Sequence, residues 1–200
     1  FEGGFYQTLL GKVANHWQPY FQGDVVLTDG EEIFFCEHCL LYDGMRSQGI
    51  NHQSQTAAGI FQTVGANPGW EYQFSAAVHI SPQSGQVRLG IDPTGQTNAE
   101  AATVIWSATN AVSQWSPLTV RATAMASTVT VFLEARDLRG PAAHFDAVSL
   151  KVYPCPPKVA RPPIDCPPPE EPPTEKPPEE QPTHQQQCIA WNRVDPLPPT

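Results

Sequence analysis

The chain has 200 residues, with 20 acidic against 11 basic side chains and a formal charge of −9. Such a chain offers no general basic face, which excludes nucleic acid as its partner and speaks against anionic membrane surfaces. No apolar run reaches the roughly 18 residues that a spanning helix needs, so no membrane insertion is expected.

Taken in order, Phe1 to Phe21 is amphipathic, with Gly3-Gly4 and Asn15-His16-Trp17 interrupting any regular period. The opening FEGGF reads as a mature start after leader removal. Asp24 to Leu27 reads as a short strand, and Ile33 to Tyr42 as a strand interrupted by a loop at CEHC. Ser47 to Thr56 is polar and reads as a connection. Gly59 to Val64 is a strand. Trp70 to Ile80 is a longer one, with Trp70, Tyr72, Phe74, Ala76, Val78 and Ile80 on one face. Ala66-Asn67-Pro68-Gly69 between them suits a type II turn, because proline presets φ and the glycine supplies φ > 0. The two runs are therefore expected to pair as an antiparallel hairpin.

Gln86 to Asp92 alternates Val87, Leu89 and Ile91 against Arg88, Gly90 and Asp92. Asp92-Pro93-Thr94-Gly95 is a turn signature, Asn98 to Ala102 suits a short helix, and Ala102 to Ser107 is more strand-like. Strands follow at Pro117 to Ala126, Thr128 to Ala135 and His144 to Tyr153, with a break at Arg139-Gly140-Pro141. About eight short strands with turns between them predict an all-β, antiparallel β-sandwich or jelly roll over residues 1–153. A domain of that size buries about 70% of its unfolded surface and needs no staple to fold.

After Tyr153 the composition changes, and 16 of the 22 prolines lie in residues 154–200. That segment cannot build a core and is expected to be an extended, polyproline-type tail. Apolar residues return in a segment at 188–197, and Ile164, Ile189, Trp191, Val194 and Leu197 are the expected docking anchors.

Five cysteines are an odd count. Cys36 and Cys39 admit four readings: part of a zinc site, a redox pair, a local disulfide, or two independent thiols. An oxidised setting favours the local disulfide. Cys155 with Cys166 closes a short loop in the tail, which leaves Cys188 for a bond to Cys36, Cys39 or another tail cysteine. No paired carboxylates and no nucleophile elbow stand out, so no catalytic residue is assigned. Trp17, Trp106 and Trp115, in or beside expected loops, are the candidates for stacking on sugar rings.

The phrases FEGGF, GIFQTV with NPGWEYQFSAAV, RLGIDPTG followed by VIWS, LTVRATAMASTVTVFLEA and FDAVSL occur in this order. Residues 1–153 thereby resemble the carbohydrate-binding-module class of jelly rolls, galactose-binding-like in fold and common on secreted bacterial proteins. The resemblance implies a two-sheet sandwich without catalytic machinery and a structural calcium. Carried onto this chain, the calcium would be shared by Glu2 and Asp146 with backbone oxygens. Similar modules have two adjacent aspartates in the last strand, whereas Ala147 takes the second place here.

Two functions of different class follow. In the first, the chain is an extracellular structural subunit whose tail docks on a neighbouring copy, building a cell-surface homopolymer or filament. In the second, it is a carbohydrate-binding module attaching to polysaccharide, with the tail as spacer. An enzyme is a distant third.

Overall fold

A strand that covers a core on one side must alternate apolar and polar residues, and this period shapes most of the chain. The computed structural model describes residues 1–23, 33–51, 57–80, 85–108, 114–138 and 142–153. Among them the chain forms twelve strands: β1 (Phe5–Thr8), β2 (Gly11–Ala14), β3 (Gln18–Gln22), β4 (Phe34–Glu37), β5 (Ser47–Ile50), β6 (Ala57–Gly65), β7 (Glu71–Ile80), β8 (Gln86–Asp92), β9 (Ile105–Trp106), β10 (Ser116–Thr123), β11 (Thr128–Arg136) and β12 (Ala143–Val152). They build a seven-stranded sheet, β1-β2-β4-β5-β12-β7-β10, and a five-stranded sheet, β3-β6-β11-β8-β9. The described pairings are antiparallel apart from the short β2–β4 contact at Gly11 and Phe34. Tyr72, Phe74, Ala76, Val78 and Ile80 of β7 meet Val129, Val131, Leu133 and Ala135 of β11 in one buried cluster between the sheets. The chain is thus an all-β sandwich of the jelly-roll kind, and the described residues contain no helix. The tail lies outside them, as do Asp24 to Leu27 and Arg139 to Pro141.

The turn chemistry at Asn67 holds, but the pairing inferred from it does not. Trp70 N–H donates to the Asn67 carbonyl at 3.1 Å, and Gly69 has φ 83°, as a type II turn requires. Yet β6 lies in the five-stranded sheet and β7 in the seven-stranded one. The connection is an arch from sheet to sheet, not a hairpin. Bonds from Ala66 N–H to the Ser127 carbonyl and from Gly69 N–H to the Ala124 carbonyl tie it to the β10–β11 connection. Alternation states which side of a strand is buried and leaves the partner sheet open.

The polar stretch expected as a connection begins instead with a fully buried strand, β5. Gln48 makes this possible. Its Oε1 accepts from Ala14 N–H at 2.9 Å, and its Nε2 donates to the Gly49 carbonyl at 2.9 Å and to the Lys12 and Phe35 carbonyls at 3.2 Å. A buried amide whose oxygen and nitrogen are both hydrogen-bonded carries little desolvation cost. The amphipathic start is also strand, as β1 to β3. Asn98 to Ala102 makes a turn rather than a helix, with Ala101 N–H on the Asn98 carbonyl. Strand in Ala102 to Ser107 is limited to Ile105 and Trp106.

β12 carries one extra residue. Phe145 is in the core, and Val148, Leu150 and Val152, which have the opposite parity, are partly buried and pack against it. The β12–β7 register shifts between Asp146 and Ser149, and Ala147 sits there with φ 47°. One bulged residue in the left-handed region moves the face by one position and keeps both halves of the strand apolar-side-in. Alanine in this region costs about 1 kcal/mol, whereas asparagine tolerates it. Ala147→Asn is therefore expected to raise stability by about 1 kcal/mol, read as a higher urea midpoint at unchanged slope.

Candidate functional site

The five-stranded sheet carries a second ordered surface on the side away from the core. Its central strand β11 sends Val129, Val131, Leu133 and Ala135 inward, and so Thr130, Phe132, Glu134 and Arg136 outward. Register with the neighbouring strands lines these residues up in rows across the sheet. One row is Tyr20, Gly59, Glu134, Arg88; the next is Gln18, Phe61, Phe132, Gly90, Trp106. Gln22, Ala57, Arg136 and Gln86 flank them on one side, and Thr63, Thr130 and Asp92 on the other. Adjacent rows lie about 7 Å apart, two residues along a strand.

The glycines let rings lie across the sheet. A Cβ at Gly90 would come within 2.7 Å of the Trp106 ring, and one at Gly59 would strike the Tyr20 phenol. Trp106, Phe61 and Tyr20 then surround Phe132, with ring centroids 5.8, 6.0 and 5.9 Å from it. Ala99 and Val104 of the β8–β9 connection pack on the same ring, and Phe132 is fully buried. That connection is held by Asp92, whose carboxylate accepts from Thr94 N–H at 2.7 Å, Thr94 Oγ1 at 2.6 Å and Thr103 Oγ1 at 2.6 Å.

Glu134 is at 0% exposure and carries the charge of this face inward. Its Oε1 accepts from Arg88 Nε at 2.6 Å and Arg136 Nε at 3.0 Å, and its Oε2 from the Tyr20 hydroxyl at 3.0 Å. Burial, and then the Glu134 charge, push the Tyr20 phenol well above its ordinary pKa, so it stays a donor. Arg88 lies over the Trp106 ring, 3.7 Å from its centroid, and Arg136 Nη2 donates to Gln22 Oε1 at 3.0 Å. The surface above Glu134 is thus made of guanidinium, phenol and amide groups beside a half-buried aromatic row.

The outer face of the seven-stranded sheet holds a second cluster. His79 and His144 are opposite one another on β7 and β12, with rings 5.9 Å apart. Phe35 packs on His144, and Trp115 packs on His79 and Tyr42. Burial lowers the His144 pKa to about 4, with the His79 charge acting in the same direction and Glu37 opposing it.

The expected stacking tryptophans lie in three different places. Trp17 is 8% exposed in the main core, with its carbonyl accepting from the Tyr6 hydroxyl, and is no surface platform. A cavity of about 330 Å³ opens beside it, walled by core side chains such as Phe74 and Val131 and by no Asp, Glu, Lys or Arg. Trp115 lies on the seven-stranded sheet, and only Trp106 lies on the aromatic row. Tyr20, Phe61, Arg88, Phe132, Glu134 and Arg136 were not singled out by the sequence. Their outward parity was readable, but their alignment in rows depends on register between strands that are distant along the chain.

Glu2 and Asp146 do converge on one loop, through amide donors. Glu2 Oε1 accepts from Met45 N–H at 2.8 Å and Arg46 N–H at 3.2 Å, and the Met45 bond leads in lowering its pKa. Asp146 Oδ2 accepts from Tyr42 N–H at 3.0 Å and Asp43 N–H at 3.1 Å, and Oδ1 from Ala147 N–H at 2.7 Å. Among the described residues no group of three or more His, Cys, Asp or Glu side chains is placed to hold a metal. Oxygens already facing N–H donors fit a loop clamp better than a cation. The local Cys36–Cys39 bridge is not formed. Cys36 is a free thiol 3.4 Å from His38 Nε2, while Cys39 is disulfide-bonded. Cys155, Cys166, Cys188 and the five tail anchors lie outside the described residues.

No family model matches the chain, and no curated protein matches it. Solved structures do. The module TmCBM61, solved in complex with β-1,4-galactotriose, is similar with a TM-score of 0.52 at 10% identity, over 76% of this chain and 92% of that one. The enzymatically active domain of tailspike protein 4 from bacteriophage CBA120 is similar with a TM-score of 0.54 at 14% identity, over 69% of this chain but only 19% of that one. The CBM22-1 xylan-binding domain from Paenibacillus barcinonensis Xyn10C gives a TM-score of 0.48 at 13% identity, over 68% of this chain and 85% of that one. The fold is a jelly roll like that of the carbohydrate-binding module TmCBM61.

The His144 environment sets a pH dependence. With a native pKa of about 4 against 6.5 for a free imidazole, the unfolded chain takes up a proton that the native state refuses. Stability is therefore unaffected above pH 6.5 and falls as the pH drops from 6.5 towards 4, by about 1.4 kcal/mol per pH unit from this group. Urea unfolding at pH 7 and 5 checks this, and His144→Phe is expected to flatten the difference.

Proposed function

We propose that the chain is a non-catalytic polysaccharide-binding module of an extracellular protein, and that it holds sugar on the outer face of its five-stranded sheet. One observation carries this reading: register across β3, β6, β11, β8 and β9 sets a row of aromatic rings beside the guanidinium donors of Arg88 and Arg136. Sugar rings stack their apolar faces on aromatic side chains, and their hydroxyls need oriented donors and acceptors at the rim. Phe61 and Trp106 are half-buried, and Gln18, Thr63 and Gln86 are exposed around them. TmCBM61 supports the reading through its fold and its bound galactotriose.

The same face argues against hydrolysis. A glycosidase needs two carboxyl groups free to trade protons and attack the anomeric carbon. Glu134 is saturated by Arg88, Arg136 and Tyr20, and Asp92 by Thr94 and Thr103. Assembly into a filament rests on tail residues outside the described set, and neither the described domain nor its likeness to other folds supports it.

Affinity electrophoresis in gels containing galactan, xylan, β-glucan or polygalacturonate tests the reading. Retardation by at least one polymer is expected, with Phe61→Ala weakening it about tenfold, the loss of one well-packed aromatic contact. Free migration in every gel would overturn the proposal.

The loop clamp makes its own prediction. Chelator is expected to leave the melting temperature unchanged, while Asp146→Asn costs about 1–3 kcal/mol by removing a buried charged acceptor. A fall on chelation that calcium reverses would instead put a cation between Glu2 and Asp146.

A further inference from the structure

On the premise that the five-stranded face binds glycan, we infer that its ligand is an acidic polysaccharide, held through uronate carboxylates on Arg88 and Arg136. The chain as a whole is strongly acidic, at −9. Its long-range field therefore disfavours a polyanion, and any preference for one must come from the site itself.

The face is built so that its anions point in and its cations out. Glu134 and Asp92 are both at 0% exposure. The side chains of Arg88 and Arg136, directly above Glu134, keep 17% and 38% of their surface. Among the described residues Arg88 donates only through Nε, and Arg136 only through Nε and Nη2. A guanidinium has five N–H donors, so most of the donors on this pair remain for a ligand.

Geometry favours a carboxylate over hydroxyls. Arg88 is fixed from below by Glu134 and from the side by the Trp106 ring at 3.7 Å. Two planar forks held in place give bidentate, charge-assisted bonds at little cost in side-chain entropy. The aromatic row lies one row away, so one sugar can stack on Phe61 while the acid of the same or the next sugar reaches the arginines. Neutral glycans can use the rings and the glutamines, but they leave two partly desolvated guanidiniums with nothing better than water. Glu100 is an exposed acid, on the β8–β9 connection that covers Phe132, and lies outside the arginine rows.

The test uses the full chain and four soluble polymers: polygalacturonate, the same polymer with its carboxyls reduced to alcohols, a neutral β-1,4-galactan, and dextran sulfate. Calorimetry is run at low and at high salt. The expected result is binding of polygalacturonate at least tenfold tighter than of its reduced form, weakened by salt. Arg136→Gln should lose most of that preference. Arg136→Lys keeps the charge without the fork and should recover it only in part. Arg121→Gln, on the other sheet over Tyr153, should leave binding unchanged. Melting temperatures of the variants separate loss of contact from loss of fold. Equal binding of the neutral and acidic polymers would overturn this inference and leave the glycan-binding reading standing. Dextran sulfate bound as tightly as polygalacturonate, with the same response to Arg136→Gln, would reduce the site to a generic cationic patch and overturn carboxylate recognition. Binding of none of the four would overturn this inference, and the glycan-binding reading would fall with it only if xylan and β-glucan also fail to retard the chain.

Discussion

The burial of Glu134 is the constraint on which the functional face depends. A carboxylate removed from water costs several kcal/mol unless its oxygens are met by charged or hydroxyl donors. Here three donors come from three strands: Tyr20 from β3, Arg88 from β8 and Arg136 from β11 itself. Such a cluster adds little net stability beside a well-packed apolar one, because desolvation cancels most of the attraction. What it supplies is direction. With Glu134 at its centre, neither guanidinium can swing away without stripping a buried carboxylate of one of its two charged partners. Side chains that would otherwise sample many rotamers become a fixed surface.

Glycine completes this arrangement by absence. At Gly59 and Gly90 a methyl group would strike the Tyr20 and Trp106 rings, so both strands leave a channel for them. The seven-stranded sheet repeats the device at Gly49, where a Cβ would meet the Phe35 ring. In each case the missing side chain leaves room for the ring against the neighbouring strand.

The sequence made the core legible and the surface much less so. Alternation in β7, β8, β10 and β11 names the buried face correctly, from Tyr72 to Ile80 and from Val129 to Ala135. It failed at three points with physical causes. The Asn67-Pro68 turn has hairpin chemistry, but arch and hairpin use the same turn type, and long-range bonds to Ala124 and Ser127 decide between them. Ser47 to Ile50 looks like a loop because its polar atoms are visible in the sequence and their partners, thirty-odd residues away, are not. Trp17 looks exposed because it follows Asn15-His16, yet it closes the end of the core. For the site, Glu2 and Asp146 stood out in the sequence as a calcium pair, and the partners they meet are amides of residues 42–46, which no local pattern names.

A consistent logic links these carboxylates. Glu2, Asp92, Glu134 and Asp146 each accept two or three hydrogen bonds, from backbone amides at Glu2 and Asp146, from amide and hydroxyl at Asp92, and from arginine and tyrosine at Glu134. In three of the four the acid fixes the backbone of a loop: Glu2 and Asp146 hold residues 42–46, and Asp92 holds the connection that covers Phe132. Only at Glu134 are the charged partners side chains that reach the surface. The other acids spend their charge on backbone and leave their surroundings neutral. Glu134 spends its charge on two arginines, and most of their N–H groups take no other partner among the described residues. An acidic jelly roll thereby acquires one face on which an anion can settle.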